Sequence, residues 1–131
     1  MTPALPATAH ALELKHAYRL LNTGASILIS AAQGGRRDVM ACAWNMSLDF
    51  SPAKVAVCLD KATFTRELIE ASGSFAIGVP CVAQADLVFT VGSISGRELP
   101  GQDKFAAFGI AHHAASVIDA PLVAGCIGWL E

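Results

Sequence analysis

Two apolar runs with β character flank a pair of glycines at Gln33-Gly34-Gly35-Arg36. The first is ASILISAA (25–32) and the second is DVMACAW (38–44). Gly-Gly signals a hairpin, because the favoured two-residue turns need positive φ and glycine adopts it without steric cost. So tight a connection joins only antiparallel neighbours. The fold therefore starts from an antiparallel pair, and the rest of the chain must be built around it.

The remaining pattern agrees. KVAVCL (54–59) is a continuous apolar, β-branched run and reads as a buried strand. NMSLDFSP (45–52), just before it, carries too many turn formers to extend a strand far, and Pro52 discourages helix. TRELIEAS (65–72) reads as a short helix with Leu68 and Ile69 inward and Gly73 past its end. SFAIGV (74–79) is a strand stopped by Pro80, and VAQADLVFTV (82–91) a helix ended by Gly92. GSISGRELPGQ (92–102) reads as a loop and DKFAAF (103–108) as a helical turn begun by Asp103. The tail SVIDAPLVAGCIGWLE has two apolar runs broken by Pro121 and Gly125. Upstream, residues 1–11 form a loose lead-in, and LELKHAYRLL (12–21) reads as a short helix ended by Asn22 and Gly24. The sum is one domain over 1–131, mainly β with short inserted helices. Without strand–helix alternation, a GxGxxG turn or a GxxxxGK[ST] loop, a doubly wound nucleotide fold is not expected.

Composition narrows the function. Hydrophobic residues make up 53% of the 131 and charged ones 15%, which predicts a real core and surplus apolar surface suited to self-association. A net charge of −2 lacks the basic excess of a nucleic-acid binder. No apolar run reaches the roughly 18 residues of a bilayer span, and the N-terminus lacks the pattern of a secretory leader. The four cysteines, 42, 58, 81 and 126, show neither CxxC nor metal-site spacing. They read as reduced, buried thiols, which points to the cytoplasm.

Three groups of residues could carry chemistry. Asp60, Lys61, Ala62, Thr63 and Thr65 stand where a strand hands over to a helix. A helix N-terminus offers unpaired N–H groups to an anion, hydroxyls can donate to phosphate oxygens, and Lys61 adds charge. The alternative is that one threonine caps the helix and Lys61 is merely solvated. Ser95, Gly96 and Arg97, with Lys104, lie on or beside a glycine-rich loop that could bring two cations to an anionic ligand, or be an ordinary solvated loop. Trp44, Asn45, Met46 and Ser47 lie where a strand frays into a turn, placed to bond the edge of a heterocycle and pack on its face. A tryptophan in such a run, Trp44 here, is more often core than a ligand contact. No nucleophile–base set stands out, and His112-His113 has no local partner. Anion sites without acid–base groups predict a bound cofactor as the carrier of the chemistry.

In order and spacing these groups resemble the flavin reductase-like family of FMN-binding split-barrel proteins, which includes flavoredoxins. The resemblance runs from about His16 to the end, through AYRLLNTG, ACAWNMSLDFSPAKVAVCLDKATFTRELIEASGSFAIGVP, VGSISGRELPGQDKF and IDAPLVAGCIGWLE. It implies a six-stranded antiparallel split barrel, a homodimer with FMN near the interface, and hydride transfer from NADH or NADPH to flavin. Onward electron transfer to a partner monooxygenase, ferric chelates or other acceptors is also implied. By the same resemblance Trp44–Ser47 contact the isoalloxazine, Leu59–Thr65 the ring edge and phosphate, and Ser95–Arg97 with Lys104 and Phe105 close over the cofactor. Two features depart from the family. The link ELPGQ is longer than in many members, and members continue for roughly fifty residues beyond GWLE. Those residues supply barrel strands, so this chain is expected to be a fragment or to complete its barrel by strand exchange. A second function class stays open: a truncated barrel acting as a dimeric binding or structural module without flavin.

Overall fold

The computed structural model describes residues 24–131, so the lead-in and the helix expected over 12–21 lie outside the described residues. Strands β1 (Ile27–Gln33) and β2 (Arg36–Cys42) pair along their full length. Gly34 and Gly35 form the whole turn, at φ of 59° and 79°, the left-handed values that a two-residue hairpin of this hand requires. After β2 come β3 (Asn45–Phe50), β4 (Ala53–Val57), helix α1 (Phe64–Ser72) and strand β5 (Ala76–Val79). Helix α2 (Ala85–Ser93) follows a short 3-10 turn, and two more such turns lead to α3 (Lys104–Ala107). Strands β6 (His112–Ala114), β7 (Pro121–Val123) and β8 (Gly128–Leu130) complete the described chain. The main sheet is antiparallel in the order β2-β1-β5-β8, with β3-β4 and β6-β7 as separate two-stranded ribbons. The mainly-β, antiparallel expectation with short helices is met.

β1 shows why a mainly apolar strand is needed at the centre. Leu28 joins Val39, Val91, Phe105 and Val123 on one face of the sheet, under α2 and α3. Ile27 and Ile29 join Cys42 and Ile77 on the other. A strand covered on both faces is apolar apart from groups bonded within the protein, here Ser30, whose hydroxyl donates to the Pro121 carbonyl. Helix α1 then packs on β1 and β2 through Phe64 and Leu68, against Ala31. It ends at Gly73, whose φ of 73° lets its N–H return to the Ile69 carbonyl.

Two expectations fail in the same place. Asn45–Phe50 is a strand rather than a turn, paired to β4 with a register shift between Ser47 and Asp49. The run 54–59 is not a buried strand: β4 covers 53–57, and its first three residues are exposed. The β3-β4 ribbon is outside the main sheet, so polar residues at 45, 47 and 49 meet solvent at little cost, and the apolar ones stay partly bare. Cys58, beyond its end, is also exposed, unlike the buried Cys42 and Cys126. The segment 92–102 is more regular than a loop: α2 reaches Ser93 and the two 3-10 turns occupy 96–98 and 100–102. Among the described helices none is long and apolar enough to cross a membrane.

Candidate flavin-binding cleft

A cleft of about 220 Å³ opens over β2, between the start of α1 and the end of α2. Met40 and Ala41 form part of its base, Ala62 to Thr65 one wall, and Gly92 to Ser95 the other. The wall from α1 is a helix N-terminus with no side-chain cap. Thr63 occupies the N-cap position, but its hydroxyl donates backwards to the Asp60 carbonyl (2.9 Å). The Ala62 N–H is taken by Asp60 Oδ1 (2.7 Å). The first intrahelical bond reaches only from the Glu67 N–H to Thr63, so the N–H groups of Phe64, Thr65 and Arg66 have no helical acceptor. Side-chain capping, the alternative to anion binding at this joint, is therefore not made by Thr63.

The floor of the cleft is a buried polar cluster of Asp38, Thr65 and Lys104. Asp38 projects from β2, opposite Ala31, and is 1% exposed. Its Oδ2 accepts from the Thr65 hydroxyl at 2.6 Å. Its Oδ1 has no hydrogen bond and faces the Lys104 ammonium at 3.5 Å. Lys104, 3% exposed, donates to the carbonyls of Val39 (2.8 Å) and Val91 (2.9 Å). Burial raises the Asp38 pKa, opposed by the Thr65 hydroxyl and the Lys104 charge. Burial likewise lowers that of Lys104, opposed by Asp38. Gly96 closes over the cluster, and any Cβ there would run into the Asp38 carboxylate. The glycine of SGR is thus required by packing against Asp38.

The expected site residues divide accordingly. Thr65 and Lys104 point inward, their protons engaged within the protein, and Gly96 is buried. On the opposite wall the Ser93 hydroxyl donates to the Phe89 carbonyl at 2.7 Å. Lys61 is exposed and pairs with none of the described carboxylates. Ser95 accepts from the Arg97 N–H, which leaves its own proton for a ligand. Arg97 is exposed and pairs with Glu67 at 2.9 Å, near the Phe64 ring. Exposed pairs of this kind are weak enough to exchange partners.

The third group continues from the base of the cleft: Ala41 lines it and Trp44 is three residues on, about 10 Å of extended chain. Trp44 is 48% exposed and Met46 61%, so neither is core. The Asn45 amide donates to the carbonyls of Ala25 (3.0 Å) and Cys42 (3.2 Å), which fixes the start of β3. Ser47 is exposed on the same ribbon. Sequence reasoning missed Asp38. The available signal was an acid inside an otherwise apolar strand, DVMACAW, where an unpaired charge is not tolerated. It also missed the pairing of His112, whose Nε2 receives an Arg37 N–H at 2.8 Å.

A mainly antiparallel β core with short inserted helices sets the fold class, and the uncapped N-terminus of α1 opens on the cleft. The flavin reductase like domain matches residues 18–131, and the chain belongs to that family. It is 46% identical over 123 residues to the uncharacterized protein YddH of Escherichia coli, covering 92% of this chain and 64% of that one. Among solved structures it resembles an FMN-binding domain of a flavin reductases-like enzyme from Shewanella baltica, with a TM-score of 0.75 and 47% identity. That match covers 92% of this chain and 62% of the other. It also resembles the flavoredoxin of Desulfovibrio vulgaris, with a TM-score of 0.70 and 26% identity, over 93% of this chain and 61% of the other. The chain thus spans somewhat under two thirds of the length of these relatives. The split-barrel, flavin reductase-like fold expected from the sequence is the fold found.

Proposed function

We propose that this chain binds FMN and belongs to an oxidoreductase, an NAD(P)H-dependent flavin reductase or a flavoredoxin-like electron carrier. The observation that carries the reading is the uncapped N-terminus of α1, open to the cleft beside the exposed Lys61. Its donors suit a phosphate monoester: three N–H groups at the positive end of a helix dipole, the Ser95 hydroxyl, and the charges of Lys61 and Arg97. The cleft volume of about 220 Å³ lies below the roughly 300–1,000 Å³ of pockets that enclose a whole ligand. It therefore suits the phosphate end of a flavin nucleotide and leaves the ring to the exposed AWNMS segment. A larger hollow of about 410 Å³, lined by Val55, Phe75, Ile77 and Leu130 among others, contains none of the expected site residues.

FMN supplies the hydride-accepting and electron-carrying chemistry when bound. The residues here bind and orient. Lys61 and the α1 N-terminus would hold the phosphate, and Thr63 can turn from its exposed bond to Asp60 to join them. Trp44 and Met46 would cover apolar ring surface, while Asn45 Oδ1 and Ser47 offer hydrogen bonds to its polar edge. Holding flavin and nicotinamide in contact then does most of the catalytic work. A homodimer, and a partner monooxygenase or other electron acceptor, complete the proposal; the Shewanella and Desulfovibrio relatives, by their own descriptions an FMN-binding domain and a flavoredoxin, support its flavin part.

Titration of the purified chain with FMN, followed by NADH and NADPH oxidation, tests this. Saturable uptake with a flavin absorption spectrum is expected. A protein that stays colourless and takes up no FMN overturns the reading and leaves a non-catalytic module.

A further inference from the structure

Asp38 lines the floor of the cleft but is only 1% exposed, and three segments around the cleft converge on its carboxylate. The first turn of α1 reaches it through Thr65 (2.6 Å). The 95–97 loop lies against it through Gly96, where a side chain would collide. α3 reaches it through Lys104 (3.5 Å), which also holds the carbonyls of Val39 on β2 and Val91 at the end of α2. We propose that Asp38 is the positioning residue of the phosphate site: it touches no cofactor but fixes the mutual placement of the α1 N-terminus and the Ser95–Arg97 loop. The proposal rests on the reading that the FMN phosphate sits at the start of α1.

The chemistry supports an organising role. Thr65 is the second residue of α1, so its bond to Asp38 anchors the turn whose N–H groups face the cleft. Its single proton is used in that bond and cannot also serve a phosphate. The Lys104 ammonium donates to two carbonyls and stands 3.5 Å from Asp38, so its charge is held in the floor of the cleft. Confined there, the ammonium offsets the Asp38 carboxylate, and an anion above meets a neutral floor. Donors held at fixed spacing bind more tightly than the same donors on loose segments, because less order is lost on binding.

The test compares FMN with riboflavin, which lacks the phosphate. In Thr65→Val the hydroxyl is lost while shape and the Asp38–Lys104 pair remain. FMN affinity is expected to fall about tenfold, as when a hydrogen bond to a charged group is lost. Riboflavin affinity should stay within about twofold, less than one ordinary hydrogen bond contributes. Thr65→Ser should restore FMN binding, and Asp38→Asn, where it folds, should follow Thr65→Val. Equal losses for both flavins, or unchanged FMN binding in Thr65→Val, would overturn the positioning role. A wild-type protein that binds the two flavins equally would instead overturn the phosphate reading, and the proposal with it.

Discussion

The floor and the rim of the cleft are built from the same residue types and do opposite things. On the floor, Asp38, Thr65 and Lys104 are almost fully buried, and their polar atoms face one another. On the rim, Lys61, Thr63 and Arg97 are half-buried or exposed, and their bonds are ones a ligand can displace. Thr63 and Thr65 are two positions apart, and that short step along the chain separates a solvent-facing hydroxyl from an interior one. Charge in a flavin-family motif is therefore no guide by itself to ligand contact. A buried cation is held by carbonyls and a carboxylate because its desolvation must be offset. A rim cation stays exposed where an anion can use it.

The largest test of this contrast is Asp38→Ala. It leaves the Lys104 ammonium buried without its carboxylate, and should cost about 3–5 kcal/mol of stability in urea denaturation. A loss under about 1 kcal/mol, the level of an exposed pair, would show that the floor is solvated and erase the distinction. Lys61→Ala should do the reverse. Stability should change by no more than about 0.5 kcal/mol, as for surface sites. FMN affinity should drop about tenfold, and less at high salt, because the missing interaction is a screened charge. Fluorescence titration at two ionic strengths reads both.

Asp103 lies between these extremes. Burial opposes its ionisation, but the Ala106 N–H, Arg37 and the Phe105 N–H together hold its carboxyl below the ordinary 3.8. It caps α3 through Ala106 (3.0 Å) and pairs with Arg37 (2.7 Å). Asp103→Ala should cost about 1 kcal/mol. A depressed folded pKa gives stability that is complete above the unfolded value and is lost as pH falls through the folded one. The gap between wild type and Asp103→Asn should therefore close below pH 3.8 in acid denaturation curves, and a constant gap would contradict the assignment. The smallest effect belongs to Glu67, which pairs at the surface with both Arg36 and Arg97. Glu67→Gln should shift stability by less than about 0.5 kcal/mol and, by releasing Arg97, slightly tighten FMN binding.

Much of the fold was legible because local rules and burial agree there. Gly34-Gly35, the β1 run and the α1 helix with its Gly73 stop read directly from the sequence. The β3-β4 ribbon did not. VAV suggests interior, and NMSLDF suggests a turn, yet the two pair outside the main sheet, where neither hydrophobicity nor turn preference decides. Strand propensity reports fit to a half-buried pleat, and says little about an exposed ribbon. The three site segments were legible as groups. Which members are buried and which exposed was not, because that depends on where α1 begins. Asp38 escaped notice since its partners are 27 and 66 residues away in sequence.

The most direct measurement is a map of amide resonances in isotope-labelled protein during titration with FMN and with riboflavin. If the phosphate sits at the α1 N-terminus, the amides of Phe64, Thr65 and Arg66 shift strongly with FMN and little with riboflavin, while Trp44 to Ser47 respond to both. Identical responses of residues 64–66 to the two flavins, or none to either, would contradict it.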